Sequence, residues 1–309
     1  MTNNSDLINK FLNKNSNVEP EKQKCLVVAF GGLPNAGKSS LANAIVGEKI
    51  SIISPKVQTT RDIIRGVVVE NETQLVIIDT PGLFIPKKDR LLERKIVRNA
   101  WNGIREADVV CIIIDSTRGI SEKVKTIIAD IKKKQNEFIF VLNKVDLVEK
   151  IKLLGLAKEL NDLYPDYKQL FMVSATGGDN LSKLKNYLID IAPQRPWLFD
   201  ADELTDAPMK FMAAEITREK LFLGLTEDLP YSVDVVTENW EDFANGDIKI
   251  QQVIRVLKDS QKAIVIGKGG SMLKKINIEA REEMEKFFER RIHLYIFVQV
   301  EGEWIRKKE

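Results

Sequence analysis

Cysteine is nearly missing from this chain of 309 residues: there are two, Cys25 and Cys111, both in apolar strand-like runs. Thiols so placed read as free and buried, and two of them exclude a disulfide framework. Long apolar runs are missing too. The longest, Cys25–Phe30 and Val109–Ile114, are strand length, far below the ~20 residues that cross a bilayer. Met1–Lys24 is rich in Asn, Ser and Lys and has no secretory apolar core. It is expected to be a polar, partly flexible lead-in, and the chain to be cytosolic. Histidine occurs once, and His293 lies in an alternating run, which favours a structural role over catalysis. Excess charge of one sign is scarce: 47 Lys and Arg against 45 Asp and Glu leave +2. Any surface for a polyanion must therefore be local. What is present is ordinary, with 44% hydrophobic and 30% charged residues. A disordered or collagenous chain is excluded, and the length suits about two domains at ~100–200 residues each.

Residues 25–192 alternate apolar runs with amphipathic stretches. The runs Cys25–Phe30, Ile63–Val69, Leu75–Ile78, Val109–Ile114, Phe138–Leu142 and Leu170–Val173 read as strands. Between most of them lie helical patterns at Lys38–Val46, Arg90–Arg105, Ser121–Lys133, Ile151–Leu163 and Leu181–Ile191. Strand and helix in alternation predict an α/β domain with a mostly parallel sheet. Only a short polar turn separates Ile63–Val69 from Leu75–Ile78, so those two should pair antiparallel. Two prolines and an acidic stretch mark 193–207 as a linker. Residues 208–309 then form a smaller α+β domain: a helix over Met209–Leu223, strands over Ser232–Thr237 and Lys249–Leu257, and the apolar run Ala263–Ile266 before a glycine-rich turn. A helical region to about Arg290 and a strand over Ile292–Val300 complete it.

Gly32-Leu33-Pro34-Asn35-Ala36-Gly37-Lys38-Ser39 fits G-x-x-x-x-G-K-[ST] and sits between a strand and a helix, with Ser40 next in line. Glycines let the backbone wrap phosphate oxygens with its N–H groups, and the helix beginning near Lys38 adds its positive end. Lys38 would neutralise the β- and γ-phosphates, and Ser39 offers a hydroxyl to Mg²⁺. Asp79-Thr80-Pro81-Gly82 follows the strand Leu75–Ile78. Asp79 can hold Mg²⁺ through water, and the Gly82 amide can meet the γ-phosphate. Asn143-Lys144-Val145-Asp146 follows Phe138–Leu142. The Asp146 carboxylate can accept from guanine N1–H and N2–H₂, donors that adenine lacks. Asn143 fits guanine's acceptor edge, and the Lys144 stem can cover the base. In Val173-Ser174-Ala175 a backbone amide can meet the guanine oxygen.

These four elements, in this order and each after a strand, resemble the P-loop GTPase superfamily. The resemblance places Gln58-Thr59-Thr60-Arg61-Asp62 at the first switch loop. There a threonine closes on Mg²⁺ and the γ-phosphate; Thr60 is the choice and Thr59 the alternative. The catalytic set is then Lys38, Thr60 and Gly82, and the metal set Ser39, Thr60 and Asp79. Ras-like relatives orient the attacking water with a glutamine after the second motif, whereas Leu83 stands here and cannot. Hydrolysis is therefore expected to need a partner, a reordered loop or an ion. In related loops an asparagine at the Asn35 position helps hold K⁺, which would act as an arginine finger does; the other reading is that Asn35 only stiffens its loop.

Ile264-Val265-Ile266-Gly267-Lys268-Gly269-Gly270-Ser271 holds a Gly-x-x-Gly turn, with Lys274 and Lys275 in the helix after it. Such a turn lets backbone approach a phosphodiester chain, as KH modules do with about four nucleotides. Residues 249–309 carry 14 Lys and Arg against 9 Asp and Glu, a local +5, which suits an electrostatic footprint. Ile264, Ile266 and Ile276 are either a floor for bases or core. The element order resembles a type II KH domain.

Together the two parts resemble the Era family, bacterial GTPases of ribosome assembly. Leu204-Thr205-Asp206, Ala214-Glu215-Ile216-Thr217-Arg218-Glu219-Lys220, Leu229-Pro230-Tyr231 and Ile276-Asn277-Ile278-Glu279-Ala280-Arg281 carry the likeness further. The resemblance implies GTP hydrolysis with Mg²⁺, and GTP-dependent binding of 16S ribosomal RNA near its 3′ end. It also implies a role in processing that RNA and maturing the 30S subunit, and a peripheral presence at the inner membrane face; no obligate protein partner is evident in the sequence. An RNA-binding protein with a purely structural nucleotide site is the alternative, opposed by the intact Lys38, Ser39, Asp79 and Asp146. A tRNA-modification GTPase shares Pro34–Ser39, but those enzymes end in a reactive cysteine, and this chain has none after Cys111.

Overall fold

The computed structural model describes residues 18–56, 58–87, 90–134, 137–225 and 233–302. The lead-in before residue 18 and Leu229-Pro230-Tyr231 lie outside them. The described residues divide into two compact units: residues up to 51 with 60–86 and 95–206, and 52–59 with 87–94 and 207–309.

The first unit is built on a six-stranded sheet of order β2-β3-β1-β4-β5-β6. Its strands are β1 (Lys24–Gly31), β2 (Ile64–Glu70), β3 (Thr73–Asp79), β4 (Val109–Asp115), β5 (Phe138–Asn143) and β6 (Leu170–Met172). All neighbours are parallel except β2, which runs antiparallel to β3 from Ile64 opposite Asp79 to Glu70 opposite Thr73. That pair is the expected hairpin. β1, β3, β4 and β5 are apolar almost throughout because both faces of a central parallel strand are covered. The helices are α1 (Lys38–Val46), α2 (Leu91–Glu106), α3 (Glu122–Lys132), α4 (Lys150–Leu163) and α5 (Leu181–Asp190). The Ser121 side chain caps α3 by accepting from the Val124 N–H. Cys25 and Cys111 are free and buried.

The Pro-rich stretch after α5 is bonded along this unit instead of hanging free. Cys25 N–H donates to Pro193 O and Val67 N–H to Leu204 O. Trp197 Nε1 donates to Glu72 O at 3.1 Å, Arg195 pairs with Asp108, and Arg65 pairs with Asp206.

The second unit carries α6 (Met209–Gly224), β7 (Val233–Asp242), β8 (Ile248–Val256), α7 (Asp259–Ile266), α8 (Ser271–Phe288) and β9 (Ile292–Val300). β8 is central, antiparallel to β7 and parallel to β9. Ala213, Ile216, Phe222, Ile250, Ile254, Ala280 and Met284 fill the space between helices and sheet. The run Ala263–Ile266 is the last turn of α7, and Ile276 is 1% exposed in this core. It is therefore no floor for bases. His293 bonds Asp247 at 2.8 Å, which fits a structural role. Among the described residues, no helix is long and apolar enough to cross a membrane.

Candidate functional site

β1 ends at Gly31, and the chain bends through Gly32–Gly37 into α1. The bend is tight enough to need glycine: at Gly37, with φ +90°, a Cβ would lie 2.2 Å from Asn143 Nδ2. Asn35 also adopts a left-handed conformation, φ +63°, which asparagine tolerates better than most residues. Lys38 is 6% exposed, and its Nζ donates to Leu33 O at 3.0 Å, inside the loop. Burial pushes this ammonium down to about 8, against the opposing pull of Asp79. Ala36 is buried, whereas Pro34, Ser39 and Ser40 are partly open.

Three oxygen-bearing side chains converge at the start of α1. Ser39 Oγ lies 2.8 Å from Thr60 Oγ1 and donates to Asp79 Oδ2 at 2.7 Å. Thr60 Oγ1 is 3.5 Å from the same oxygen. Asp79 is fully buried, and among the described residues its Oδ1 has no hydrogen-bond partner. Burial raises its carboxyl above the usual range, with the Ser39 hydroxyl and Lys38 pulling it back. Thr59 points elsewhere, donating to Lys56 O at 2.7 Å, so Thr60 is the threonine brought to the cluster. Gly82 packs on the phosphate loop so closely that a Cβ would lie 2.8 Å from Pro34 N. Leu83 is 1% exposed and donates its N–H to Gly32 O at 2.9 Å. Its side chain is core and cannot orient water.

The last two elements meet through Asn143, which is 1% exposed. Its Nδ2 donates to Ala36 O at 3.0 Å, and its Oδ1 accepts from the Ala175 N–H at 3.1 Å. Both ends of the amide are thus engaged by backbone. Asn143, expected at guanine's acceptor edge, ties the phosphate loop to the 173–175 loop, and these two bonds use one of its two Nδ2 hydrogens. Ser174 is buried and accepts from the Gly177 N–H. Lys144 donates to Asn35 O at 3.0 Å and to Asp115 Oδ2 at 2.6 Å. Burial acts to raise Asp115, but the hydrogen bonds from Lys144 and Thr117 hold its carboxyl below the usual range. The Lys144 stem is thereby stretched between two loops. Asp146 is exposed beside it, free to accept from a base. Asp115 escaped the sequence reading because only its place at the end of β4 marks it.

In the second unit, the Gly267 N–H closes α7 by donating to Ala263 O at 2.9 Å. Gly267, Gly269 and Gly270 all have positive φ, and a Cβ on Gly269 or Gly270 would meet nothing within 4 Å among the described residues. The turn is therefore open to a chain laid across it. Lys268, Lys274 and Lys275 are exposed around it, Ile266 is partly buried beside it, and Ile264 is 53% exposed.

Residues 27–144 match the family model described as 50S ribosome-binding GTPase, and residues 228–305 match the KH domain. GTPase Era of Afipia carboxidovorans is 43% identical over 289 residues, which span 92% of this chain and 93% of the relative. This chain belongs to the Era family of GTPases. Rhizobium meliloti GTPase Era is 45% identical over 277 residues, 90% of this chain and 88% of that protein. A crystal structure of Era in complex with MgGDPNP and nucleotides 1506–1542 of 16S ribosomal RNA aligns with a TM-score of 0.88. It is 36% identical and covers 92% of this chain and 96% of its own. The Era family thus accounts for both the GTPase unit and the KH domain.

Proposed function

We propose that this chain is a GTP-driven switch that loads onto small-subunit ribosomal RNA near the 3′ end of 16S rRNA and acts in maturing the 30S subunit. One observation carries the reading: a phosphate loop with a convergent Ser39, Thr60 and Asp79 cluster shares its chain with an open, lysine-flanked Gly267–Gly270 turn. The RNA fragment bound by the Era relative supports the choice of partner.

The donor set fits Mg²⁺. Two hydroxyls and a buried carboxylate make a hard oxygen site, and Asp79 Oδ1, without a hydrogen-bond partner among the described residues, offers a lone pair to a cation. When bound, Mg²⁺ neutralises charge on the β- and γ-phosphates. Ser39, Thr60 and Asp79 would hold the cation, the carboxylate directly or through water. Gly32 to Ser40 wrap the triphosphate through backbone N–H groups, and Lys38 places its charge on the β- and γ-phosphates. The Gly82 amide faces the γ-phosphate. Asp146 selects guanine, while Asn143, Lys144, Ser174 and Ala175 hold the loops that frame it. Leu83 offers no water-orienting group, and a K⁺ held at Asn35 would supply positive charge near the phosphates in its place. Rates in K⁺ and Na⁺ at equal ionic strength test this; equal rates remove the ion from the account.

The turn grips single-stranded RNA through Ile266, Gly267, Lys268, Gly269 and Gly270, with Lys274 and Lys275 meeting phosphates. The same local positive charge supports weak peripheral attraction of a cytoplasmic protein to anionic membrane, which co-sedimentation with phosphatidylglycerol vesicles tests. Crosslinking the GTP-loaded protein to cellular RNA and sequencing the adducts tests the main reading. Enrichment of the 16S 3′ end with GTP over GDP is expected, and adducts spread evenly over RNA classes would overturn it.

A further inference from the structure

Helix α6 holds a buried ionic cluster that neither nucleotide binding nor RNA binding accounts for. Arg218 is 2% exposed although charged, and Glu215 and Glu219 are 8% and 4% exposed. Spacings of three and four residues put the three side chains on one helical face. Arg218 Nε donates to Glu215 Oε1 at 2.7 Å, and a second guanidinium nitrogen pairs with Glu215 Oε2. The third guanidinium nitrogen, Nη1, donates to the backbone carbonyl of Thr59 at 2.7 Å. One residue along α6, Glu219 Oε1 accepts the N–H of Ile53, also at 2.7 Å. Residues 52–59 are therefore held at both ends, by one carboxylate and one guanidinium, within the second unit. Thr60 follows Thr59 by a single peptide bond.

We propose that Arg218, oriented by Glu215, is a positioning residue for GTP hydrolysis: it fixes the Thr59 carbonyl and so sets where the Thr60 hydroxyl stands. A buried ion pair is weak evidence for stability, and α6 already has Met212, Ile216, Leu221 and Phe222 to anchor it. The guanidinium instead has a directional use. A loop free at one end samples many backbone states, and each residue fixed costs entropy. Pinning residues 53 and 59 removes that search before nucleotide arrives. Lys220, next to Glu219, pairs with Glu283 on α8, the helix that follows the Gly267–Gly270 turn. The clamp on residues 53–59 is thus joined to the RNA-facing helix by an ion pair.

The proposal rests on Thr60 closing the divalent-cation site. The test is the Mg²⁺ concentration giving half-maximal GTP hydrolysis, measured with GDP affinity and melting temperature. Arg218→Met with Glu215→Gln removes the donor and leaves no lone buried charge. The Mg²⁺ midpoint with GTP is expected to rise about tenfold, the size of one lost charge-assisted hydrogen bond. GDP affinity and melting should stay as in the parent. Arg218→Lys keeps one donor and should fall between; Glu219→Gln keeps its acceptor oxygen and should match the parent. An unchanged midpoint in the folded double variant, or equal losses for GTP and GDP, overturns the proposal. If the double variant melts below the assay temperature, Arg218→Lys decides on the same readout. Thr60→Ala separates the two layers: if it leaves the midpoint unaltered, the cation-site reading fails, and if only the Arg218 variants are silent, the positioning role alone fails.

Discussion

Asn143→Ala separates two jobs that this position could do. In the structure its amide bridges Ala36 O at 3.0 Å and Ala175 N–H at 3.1 Å, fully buried. Alanine would leave one carbonyl and one N–H without partners. Each buried polar group left unpaired costs about 1–3 kcal/mol, so the loss is roughly 2–6 kcal/mol if water does not enter. Spread between folding and binding, even half of that is about tenfold to a hundredfold in nucleotide affinity. A scaffold has a signature a base reader lacks: GDP, IDP and 7-deaza-GDP, which has no N7 acceptor, should all weaken by the same factor, because the pocket's walls have moved and no base contact was lost. Calorimetric titration of the three nucleotides measures this. Gly37→Ala should look alike, since its new Cβ would strike the same Nδ2, and the double variant should cost little more than either single one. If Asn143→Ala weakened GDP while 7-deaza-GDP binding held, the amide would be reading the base and the bridging account would fail.

Asp146→Asn should shift preference from guanosine towards xanthosine nucleotides, where the amide meets an acceptor edge; unchanged GTP selectivity in competition binding refutes the assignment. Lys268→Glu with Lys274→Glu should weaken RNA binding at least tenfold and reduce the salt slope by about two, with GTP affinity unchanged. Lys38 gives a pH prediction. In the free protein its ammonium is held down to about 8, and phosphate binding favours the charged form, so nucleotide binding takes up a proton above that pH. GDP affinity in EDTA should be flat below pH 8 and fall towards roughly tenfold per pH unit above it; a flat profile from pH 7 to 9 contradicts it. Stability of the nucleotide-free protein runs the other way. The unfolded chain holds more protons between the folded and unfolded values, so melting temperature should rise with pH through that window.

Periodicity made the sheet legible, since β1, β3, β4 and β5 are continuous apolar runs that only a doubly covered strand tolerates. The hairpin β2–β3 followed from a turn too short for a crossover. The phosphate loop was legible because its chemistry fixes residue types at fixed spacing. The roles within the 143–146 motif were less so. Asn143 and Asp146 both look suited to hydrogen-bonding a base, and only the fold shows that the first is sealed between two loops while the second is open. Ile276 presented the same ambiguity: an isoleucine four or five residues into an amphipathic helix can face core or ligand, and register decided for core. Ala263–Ile266 is short enough to suit strand or helix, and a lysine-containing glycine turn beyond it favours neither.

Arg218 and Glu219 show a different limit. Their spacings of three and four from Glu215 announce one helical face, but an ionic face on a helix is ordinarily solvated. What turns it into a device is partners from residues 53 and 59, which lie more than 150 positions earlier in the chain. No local pattern encodes that meeting. The charge itself is the only trace: arginine in a helix whose neighbours Ile216, Leu221 and Phe222 are fully buried must either find acceptors or open the core. Backbone carbonyls and N–H groups are acceptors and donors that any sequence supplies, so such a clamp leaves its target free to vary in side chain while fixing its path. The Thr59 carbonyl is a target of that kind, and the hydroxyl beyond it is the one that meets Ser39.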